Sequence, residues 1–221
     1  MPAREPLILF HADCFDGFTS AWIAKRATGG VAVPARHGDV LPDLDLDGRD
    51  VYIVDFSFKR DVLLAMRERA ARLFVIDHHK TAQEALAGLD FCTFDMDECG
   101  ASLTWKHFYP EQPSPLLVAY VRDRDLWLWN LPHSREISEY LGLHAFDFQT
   151  WDVLAHTMET EQGRHHMAET GRALCAARDR LVAEQTKAPV LVRLGPDATP
   201  VLAVNASAHH SDVAGTLAAS S

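Results

Sequence analysis

Carboxylate and imidazole side chains follow three short apolar runs of this sequence. His11 follows Leu-Ile-Leu-Phe, Asp55 follows Val-Tyr-Ile-Val, and Asp77-His78-His79 follows Leu-Phe-Val-Ile. Oxygen and nitrogen donors of this kind bind Mn²⁺, Fe²⁺, Mg²⁺ or Zn²⁺, and one carboxylate can bridge two ions. These positions therefore predict a two-metal centre that would activate water for hydrolysis.

Further acidic residues lie near these positions in the sequence. Asp13 and Asp16 follow His11, and Gly17 stands where a helix should begin. Any one strand-end acid could equally cap a helix or close a turn, but the set as a whole favours a site. The stretch Arg122-Asp-Arg-Asp-Leu-Trp127 by itself favours a solvated ion-pair cluster.

The elements that must position these residues alternate between β-rich runs and amphipathic helices. Strands are predicted at Leu7–Phe10, Val31–Pro34, Val51–Val54, Leu73–Ile76 and Phe91–Phe94, and helices at Thr19–Ala27, Asp61–Ala71, Thr81–Leu89 and Ala101–Phe108. This order predicts an α/β fold with a Rossmann-like, mostly parallel five-stranded sheet flanked by helices. Ligands of such sheets bind outside the carboxyl ends of the strands, where the acids and histidines should converge.

The second half of the chain is predicted to be helical and to end in a small α+β lobe. Helices are expected at Leu116–Asp123, Ser134–Leu143, Phe148–Met158 and Gln162–Lys187, and a hairpin at Val190–Leu194 and Val201–Val204 around Gly195-Pro196-Asp197. The predicted organisation is a catalytic domain at 1–160, a linker helix at 161–187 and a partial substrate-binding lobe at 188–221.

Composition limits the classes of function. The 221 residues are 48% hydrophobic and 24% charged, as in a folded protein, and the formal net charge is −10. This charge argues against binding long duplex nucleic acid through a basic track, although bound cations would still attract a small phosphorylated substrate or a short oligonucleotide. The oligomeric state is left open, a homodimer included.

Targeting signals and cysteine spacing point to the cytoplasm. The N-terminal apolar run, Leu7–Phe10, is too short for a signal peptide or a membrane span, so a cytoplasmic protein that does not bind membranes is expected. The four cysteines lack C-x-x-C spacing, which predicts buried, reduced thiols rather than zinc knuckles or disulfides: Cys14, Cys92, Cys99 and Cys175.

Five segments, in this order, resemble the motifs of a known enzyme family. They are His11-Ala-Asp-Cys-Phe-Asp-Gly17, Asp55, Val75-Ile-Asp-His-His79, Cys99-Gly-Ala-Ser102 and the Arg-Asp-Arg-Asp-Leu-Trp stretch. Over about residues 7–130 the chain resembles the DHH phosphoesterases, which include single-strand exonucleases, oligoribonucleases and cyclic-dinucleotide phosphodiesterases. Exopolyphosphatases and family II pyrophosphatases are related to them. The C-terminal part resembles the start of the substrate-binding lobe of this family, without its Gly-Gly-Gly-His type motif.

The resemblance implies two divalent metal ions, Mn²⁺ first, with Mg²⁺, Fe²⁺ and Zn²⁺ as alternatives. One ion would be held by His11, by Asp13 or Asp16, and by Asp55. The other would be held by Asp16, Asp55, His78 and an acid of the Arg-Asp-Arg-Asp-Leu-Trp stretch, with Asp123 chosen before Asp125. The chain departs from the commoner His-x-Asp-x-Asp-Gly pattern by one residue, because Asp13 and Asp16 are three apart.

Other residues are assigned to catalysis and to the substrate. The resemblance implies that His79 faces the phosphate, where it would stabilise the transition state or protonate the leaving oxygen, with Asp77 orienting a neighbouring imidazole. Lys80, His209 and His210 are candidate substrate contacts. Four tryptophans favour core packing over base stacking: Trp105, Trp127, Trp129 and Trp151.

The leading hypothesis is metal-dependent hydrolysis of phosphodiester bonds in short oligonucleotides or related nucleotides. Three alternatives stay open. A pyrophosphatase or polyphosphatase would release orthophosphate, and a binding protein would keep the fold without turnover. A phospho-acceptor signalling domain expects a small hydroxyl residue after the fourth strand, where this chain has Asp-His-His.

Overall fold

A five-stranded parallel sheet forms the centre of the N-terminal half. This computed structural model describes residues 4–36, 38, 44–193, 195 and 198–220. The strands are β1 (Leu7–His11), β2 (Val31–Ala35), β3 (Asp50–Val54), β4 (Arg72–Asp77) and β5 (Cys92–Phe94), and they lie in the order β2-β1-β3-β4-β5. All four pairings are parallel, so the predicted α/β fold class is confirmed.

Helices cover both faces of the sheet because successive strand residues point to opposite sides. Leu7 and Leu9 belong to one buried cluster, together with α2 (Arg60–Arg69), and Ile8 and Phe10 belong to the other. The second cluster includes α1 (Phe15–Thr28) and α4 (Gly100–Phe108), which pack against each other. The short α3 (Lys80–Ala85) follows β4.

The second half is helical, as predicted, and begins with α5 (Leu116–Asp125), α6 (Ser134–Leu141) and α7 (Phe148–Met158). The long α8 (Glu161–Gln185) packs closely on α6. The backbones approach at Gly171, where an added Cβ would lie only 1.8 Å from the Glu136 carbonyl oxygen. Within the described ranges, no helix is both long enough and apolar enough to cross a membrane.

The C-terminal segment contains an antiparallel pair of strands, β6 (Val190–Val192) and β7 (Val201–Ala203), followed by α9 (His210–Ala218). Of the predicted hairpin, Leu194, Pro196 and Asp197 lie outside the described residues. The segment is fastened to α8 by a hydrogen bond from Ser207 N to Gln185 Oε1, at 3.0 Å, and by the buried Val213 of α9.

Candidate metal centre and adjoining cavity

Three carboxylates surround one imidazole at the carboxyl edge of the sheet. His78 Nε2 lies 3.3 Å from Asp55 Oδ1, 3.6 Å from Asp16 Oδ2 and 3.5 Å from Asp125 Oδ2. Asp16 and Asp55 are only 1% and 2% exposed. Buried carboxylates so close together are costly unless a cation or a proton balances their charge. We call Asp16, Asp55, His78 and Asp125 the acidic cluster.

The backbone holds the buried acids in place. Asp16 lies in the first turn of α1, and its carboxylate accepts hydrogen bonds from the first amides of α4, Gly100 N at 2.6 Å and Ala101 N at 2.8 Å. Asp55 follows β3 with a left-handed φ of 52°, which is uncommon outside glycine and typical of functional sites. The surrounding structure therefore imposes an unfavourable backbone conformation at the residue whose carboxylate belongs to the cluster.

A second set of possible ligands lies beside the acidic cluster. His11, Cys14 and Asp55 each offer one donor atom, and these atoms lie within 4.8 Å of one another; His11 Nδ1 is 3.7 Å from Asp55 Oδ2. A similar grouping joins Asp16, His78 and Asp125, and another joins Asp55 and His78 with His79. Asp55 belongs to two of the three groupings, so it could bridge two ions.

The chemistry of these side chains fits divalent metals. Carboxylate, imidazole and thiolate donors are all common ligands of such ions. Among the described residues, the buried Oδ1 of Asp55 has no hydrogen-bond partner of good geometry, although His78 Nε2 is near. An unsatisfied carboxylate oxygen at the meeting point of the groupings is what a metal site requires.

The charges of the acidic cluster shift the pKa of its members. Burial raises the pKa of Asp16 well above its usual range, and the charges of Asp55 and Asp125 add to this effect. Burial alone would lower the pKa of His78, but the adjacent Asp55 carboxylate and the charges of Asp16 and Asp125 raise that pKa to about 9. A cluster that draws a proton onto His78 in this way has the negative potential that attracts divalent cations.

Asp77 and His79 form a separate hydrogen-bonded pair at the end of β4. Asp77 Oδ1 lies 2.6 Å from His79 Nδ1, while Asp77 Oδ2 accepts a hydrogen bond from the Ser57 hydroxyl at 2.6 Å. The hydrogen bond from Asp77 raises the pKa of His79. Asp77 is 1% exposed and His79 is 44% exposed, so the pair presents one oriented imidazole to the solvent side of the cluster.

Three predicted site residues lie differently from the rest. Asp123 is turned away from His78, since its carboxylate accepts hydrogen bonds from the amides of Asn130 and Leu131, and Asp125 is the acid that faces the cluster. The Asp13 side chain is 70% exposed and bonds to the Arg36 guanidinium, with 2.8 Å between Oδ2 and Nε. Lys80 is exposed at the first residue of α3.

Cys14 is the residue of this site that sequence reasoning missed. It occupies the N-cap position of α1, but its side chain makes no capping hydrogen bond. Burial and the neighbouring Asp55 charge raise the pKa of its thiol to about 12. The sequence feature that could have identified Cys14 is its position between His11 and Asp16, where the extra residue interrupts the His-x-Asp-x-Asp-Gly pattern.

One cavity adjoins the acidic cluster, and a second cavity lies beside the first. One of about 430 Å³ opens over His11, Cys14, Asp16 and Asp125. The other, of about 350 Å³, lies between α5, α6, α8 and the start of α9. Four residues line both cavities, so the two are adjacent: Phe15, Arg124, Trp127 and Ser211.

The second cavity combines aromatic walls with balanced charge. Trp127 and Trp129 lie with ring centroids 5.0 Å apart, and both line the cavity with the predicted substrate contacts His209 and His210. Trp127 is 43% exposed, whereas Trp151 and Trp105 are buried in the core. The charged residues that line the second cavity are two arginines and two acids: Arg124, Arg178, Glu139 and Asp212.

Comparisons with known proteins give relatives of undetermined function. No family model matches the chain. It is 31% identical over 165 residues to an uncharacterized protein of Acanthamoeba polyphaga mimivirus, covering 66% of this chain and 39% of that protein. The chain also resembles the crystal structure of an uncharacterized protein from Helicobacter pylori, with a TM-score of 0.57 and 12% sequence identity. The match covers 77% of this chain and 61% of that protein's chain, and it indicates a shared fold. The chain thus spans less than two thirds of either protein.

Proposed function

We propose that this protein is a divalent-metal-dependent phosphoesterase of the DHH family that hydrolyses phosphodiester bonds in short oligonucleotides or related nucleotides. The observation that carries the proposal is the convergence of two ligand groupings at one sheet edge, Asp16/His78/Asp125 and His11/Cys14/Asp55. They are joined where His78 Nε2 lies 3.3 Å from Asp55 Oδ1. Two adjacent divalent ions suit the in-line displacement at phosphorus.

Each part of the site has a role in this reaction. Bound metal ions, Mn²⁺ first, would supply Lewis acidity and lower the pKa of the attacking water. Asp16 is positioned by hydrogen bonds from the α4 amides, and Asp55 lies in the turn after β3, so the two buried carboxylates would define where cations bind. His79, oriented by Asp77, would protonate the leaving oxygen. Asp77 is a positioning residue that acts through His79.

We expect His79→Gln to slow hydrolysis of a linear diadenylate by about 10²- to 10⁴-fold, the usual contribution of a general acid. The leaving nucleoside oxygen is strongly basic and needs a proton. The p-nitrophenyl ester of thymidine 5′-phosphate releases a weakly basic phenolate, so its rate should fall much less. Steady-state rates with the two substrates measure this difference.

The same pair of substrates separates this role from metal binding. His79 also lies in a grouping with Asp55 and His78, and a lost metal ligand would slow both substrates by a similar factor. Equal losses for the two esters would therefore remove His79 as the acid. Asp77→Asn should show the same dependence on the leaving group with a smaller loss, because the imidazole remains but is less firmly oriented.

The second cavity favours nucleotides over polyphosphate as substrates. Arg178 bonds to Glu139 at 2.8 Å and to Asp179 at 2.8 Å, so its charge is already balanced. A polyanion would find little net positive charge there, whereas a planar base could stack on exposed aromatic surface. The Trp127 ring, beside both cavities, is the natural stacking partner for a base whose phosphate lies at the acidic cluster.

We expect Trp127→Ala to raise the KM for diadenylate about tenfold with little change in kcat, since stacking is worth on the order of 1–3 kcal/mol per base. Leu128→Ala is the matched control, because Leu128 is a similarly exposed neighbour that does not belong to the stacking surface. An unchanged KM in Trp127→Ala, or equal effects in both variants, would contradict the stacking role.

Product analysis tests the proposed function as a whole. The full chain with Mn²⁺ would be offered a linear dinucleotide, a cyclic dinucleotide, pyrophosphate and polyphosphate. We expect nucleoside monophosphate from the dinucleotide. Release of orthophosphate from pyrophosphate or polyphosphate alone would instead select the inorganic phosphatase, and turnover of none of them would select a non-catalytic binding protein.

A further inference from the structure

The loop between β1 and α1 directs a thiol, rather than a second carboxylate, toward the His11 side of the centre. Cys14 lines the cavity over the acidic cluster, and its Sγ belongs to the grouping with His11 and Asp55. Asp13 is the carboxylate that could have filled this place. Asp13 instead has a left-handed backbone conformation, with φ 57°, and its side chain forms a salt bridge with Arg36 on the surface.

A second observation points to a ligand at this position. Asp55 is nearly fully buried, and its Oδ1 has no hydrogen-bond partner of good geometry among the described residues. Its other oxygen, Oδ2, is 3.7 Å from His11 Nδ1. Buried carboxylate oxygens are normally satisfied. The unsatisfied Oδ1 belongs to a carboxylate that is grouped with the His11 imidazole and the Cys14 thiol, which indicates that a cation completes the arrangement.

The two halves of the centre differ in their donor chemistry. The grouping of Asp16, His78 and Asp125 offers two carboxylates and one imidazole, which suit Mn²⁺ and Mg²⁺. The grouping of His11, Cys14 and Asp55 offers nitrogen, sulfur and oxygen. Thiolate is a soft donor that selects metals such as Zn²⁺ over Mg²⁺ and Mn²⁺.

We propose that the Cys14 thiolate is a metal ligand, which makes the His11/Cys14/Asp55 half of the centre selective for thiophilic divalent cations. Binding to the thiol form releases its proton to solvent, and no change of oxidation state is involved. This inference rests on the proposed function, because it assigns one ligand of the same metal centre. It predicts that the two halves of the centre differ in metal preference.

Cobalt absorption tests the ligand directly without measuring activity. Metal-free full-length protein would be titrated with Co²⁺ while its visible and near-ultraviolet spectra are recorded. We expect a thiolate-to-cobalt charge-transfer band in the wild type, its loss in Cys14→Ser, and its retention in Cys175→Ser. Cys175 is a free, partly buried thiol on α8 and serves as the matched control. Circular dichroism of each variant confirms that it is folded.

A substitution that changes the donor atom gives a second readout. In Cys14→Asp we expect the affinity for Zn²⁺ relative to Mn²⁺ to fall by at least about tenfold, measured by competition with a chromophoric chelator. Cobalt binding without a charge-transfer band, or a band that survives in Cys14→Ser, would overturn the inference and leave the proposed function standing. Failure of the wild type to bind Co²⁺ would overturn both.

Discussion

Replacing Asp55 with Asn is expected to lower the rate of Mn²⁺-dependent phosphodiester hydrolysis by at least about 10³-fold, a loss of roughly 4 kcal/mol of transition-state stabilisation. Asp55 belongs to two of the three ligand groupings and lies 3.3 Å from His78. The amide of Asn has one weak oxygen donor and carries no charge. Asn also tolerates the left-handed conformation at this position, so the turn after β3 should survive.

The stability of the same variant shows whether its loss of activity comes from lost metal binding. Burial alone would raise the pKa of Asp55, but its interactions with His11 and His78 lower that pKa. The folded protein therefore favours the charged carboxylate, although Asp16 and Asp125 are near. In the presence of a chelator, Asp55→Asn should therefore be modestly less stable than the wild type in urea unfolding. With Mn²⁺ present, only the wild type should gain stability, because ions that bind the folded state stabilise it.

Asp90→Asn is the control for Asp55→Asn, since Asp90 is an exposed acid just before β5, at the amino edge of the sheet. Its rate and its response to Mn²⁺ should match those of the wild type. Full activity in Asp55→Asn would contradict the assignment of the centre. A large loss of stability in the metal-free variant would show that Asp55 is a structural residue.

Gly100→Ala is expected to damage both the site and the fold. A Cβ at Gly100 would lie 2.5 Å from the Cβ of Asp55 and 2.9 Å from Oδ2 of Asp16, in the tightest part of the acidic cluster. Overpacking of this kind costs about 1–3 kcal/mol of unfolding free energy. The displaced carboxylates should also lower activity by about 10²-fold, the effect of a misplacement near 1 Å.

Gly215→Ala provides the comparison for Gly100→Ala. Gly215 lies in α9, and its nearest contact for an added Cβ is a Trp127 ring atom at an ordinary 3.8 Å. Alanine favours a helix over glycine by up to about 1 kcal/mol, so this variant should be as stable as the wild type or more stable. The free energy of urea unfolding and the affinity for Mn²⁺ should be measured for both variants. Equal behaviour of the two would mean that close packing at Gly100 does not position the acids.

The edge of the sheet could be predicted from the sequence because its signals are local. Each of the first four strands is a short apolar run, and parallel strands bring their carboxyl ends to one edge. His11, Asp55 and His78 therefore converge as expected.

The choice between Asp123 and Asp125 could not be made from the sequence. The two acids lie two residues apart in the last turn of α5, so their side chains point to nearly opposite sides of the helix. Which side faces the sheet depends on how α5 packs against α1 and α4. Asp123 instead binds the amides of Asn130 and Leu131, beyond the end of the helix.

The roles of Asp13 and Cys14 depend on a backbone conformation that residue types alone do not specify. Counting residues allowed either Asp13 or Asp16 as the ligand, and the left-handed conformation of Asp13 places its carboxylate on Arg36. The second cavity is also a tertiary feature. Its walls come from α5, α6, α8 and α9, which are far apart in the sequence.

Titration of the metal-free chain with Mn²⁺, with bound ions and product counted in the same samples, tests the central claim most directly. At saturating Mn²⁺ we expect binding of two Mn²⁺ per chain by equilibrium dialysis, the ion at the His11/Cys14/Asp55 half more weakly because that half prefers thiophilic ions. Release of nucleoside monophosphate from diadenylate should rise with the second ion, and both two-ion binding and product release should be lost in Asp55→Asn. Hydrolysis that proceeds equally with chelator present, or Mn²⁺ binding no greater in the wild type than in Asp55→Asn, would contradict a metal-dependent phosphoesterase.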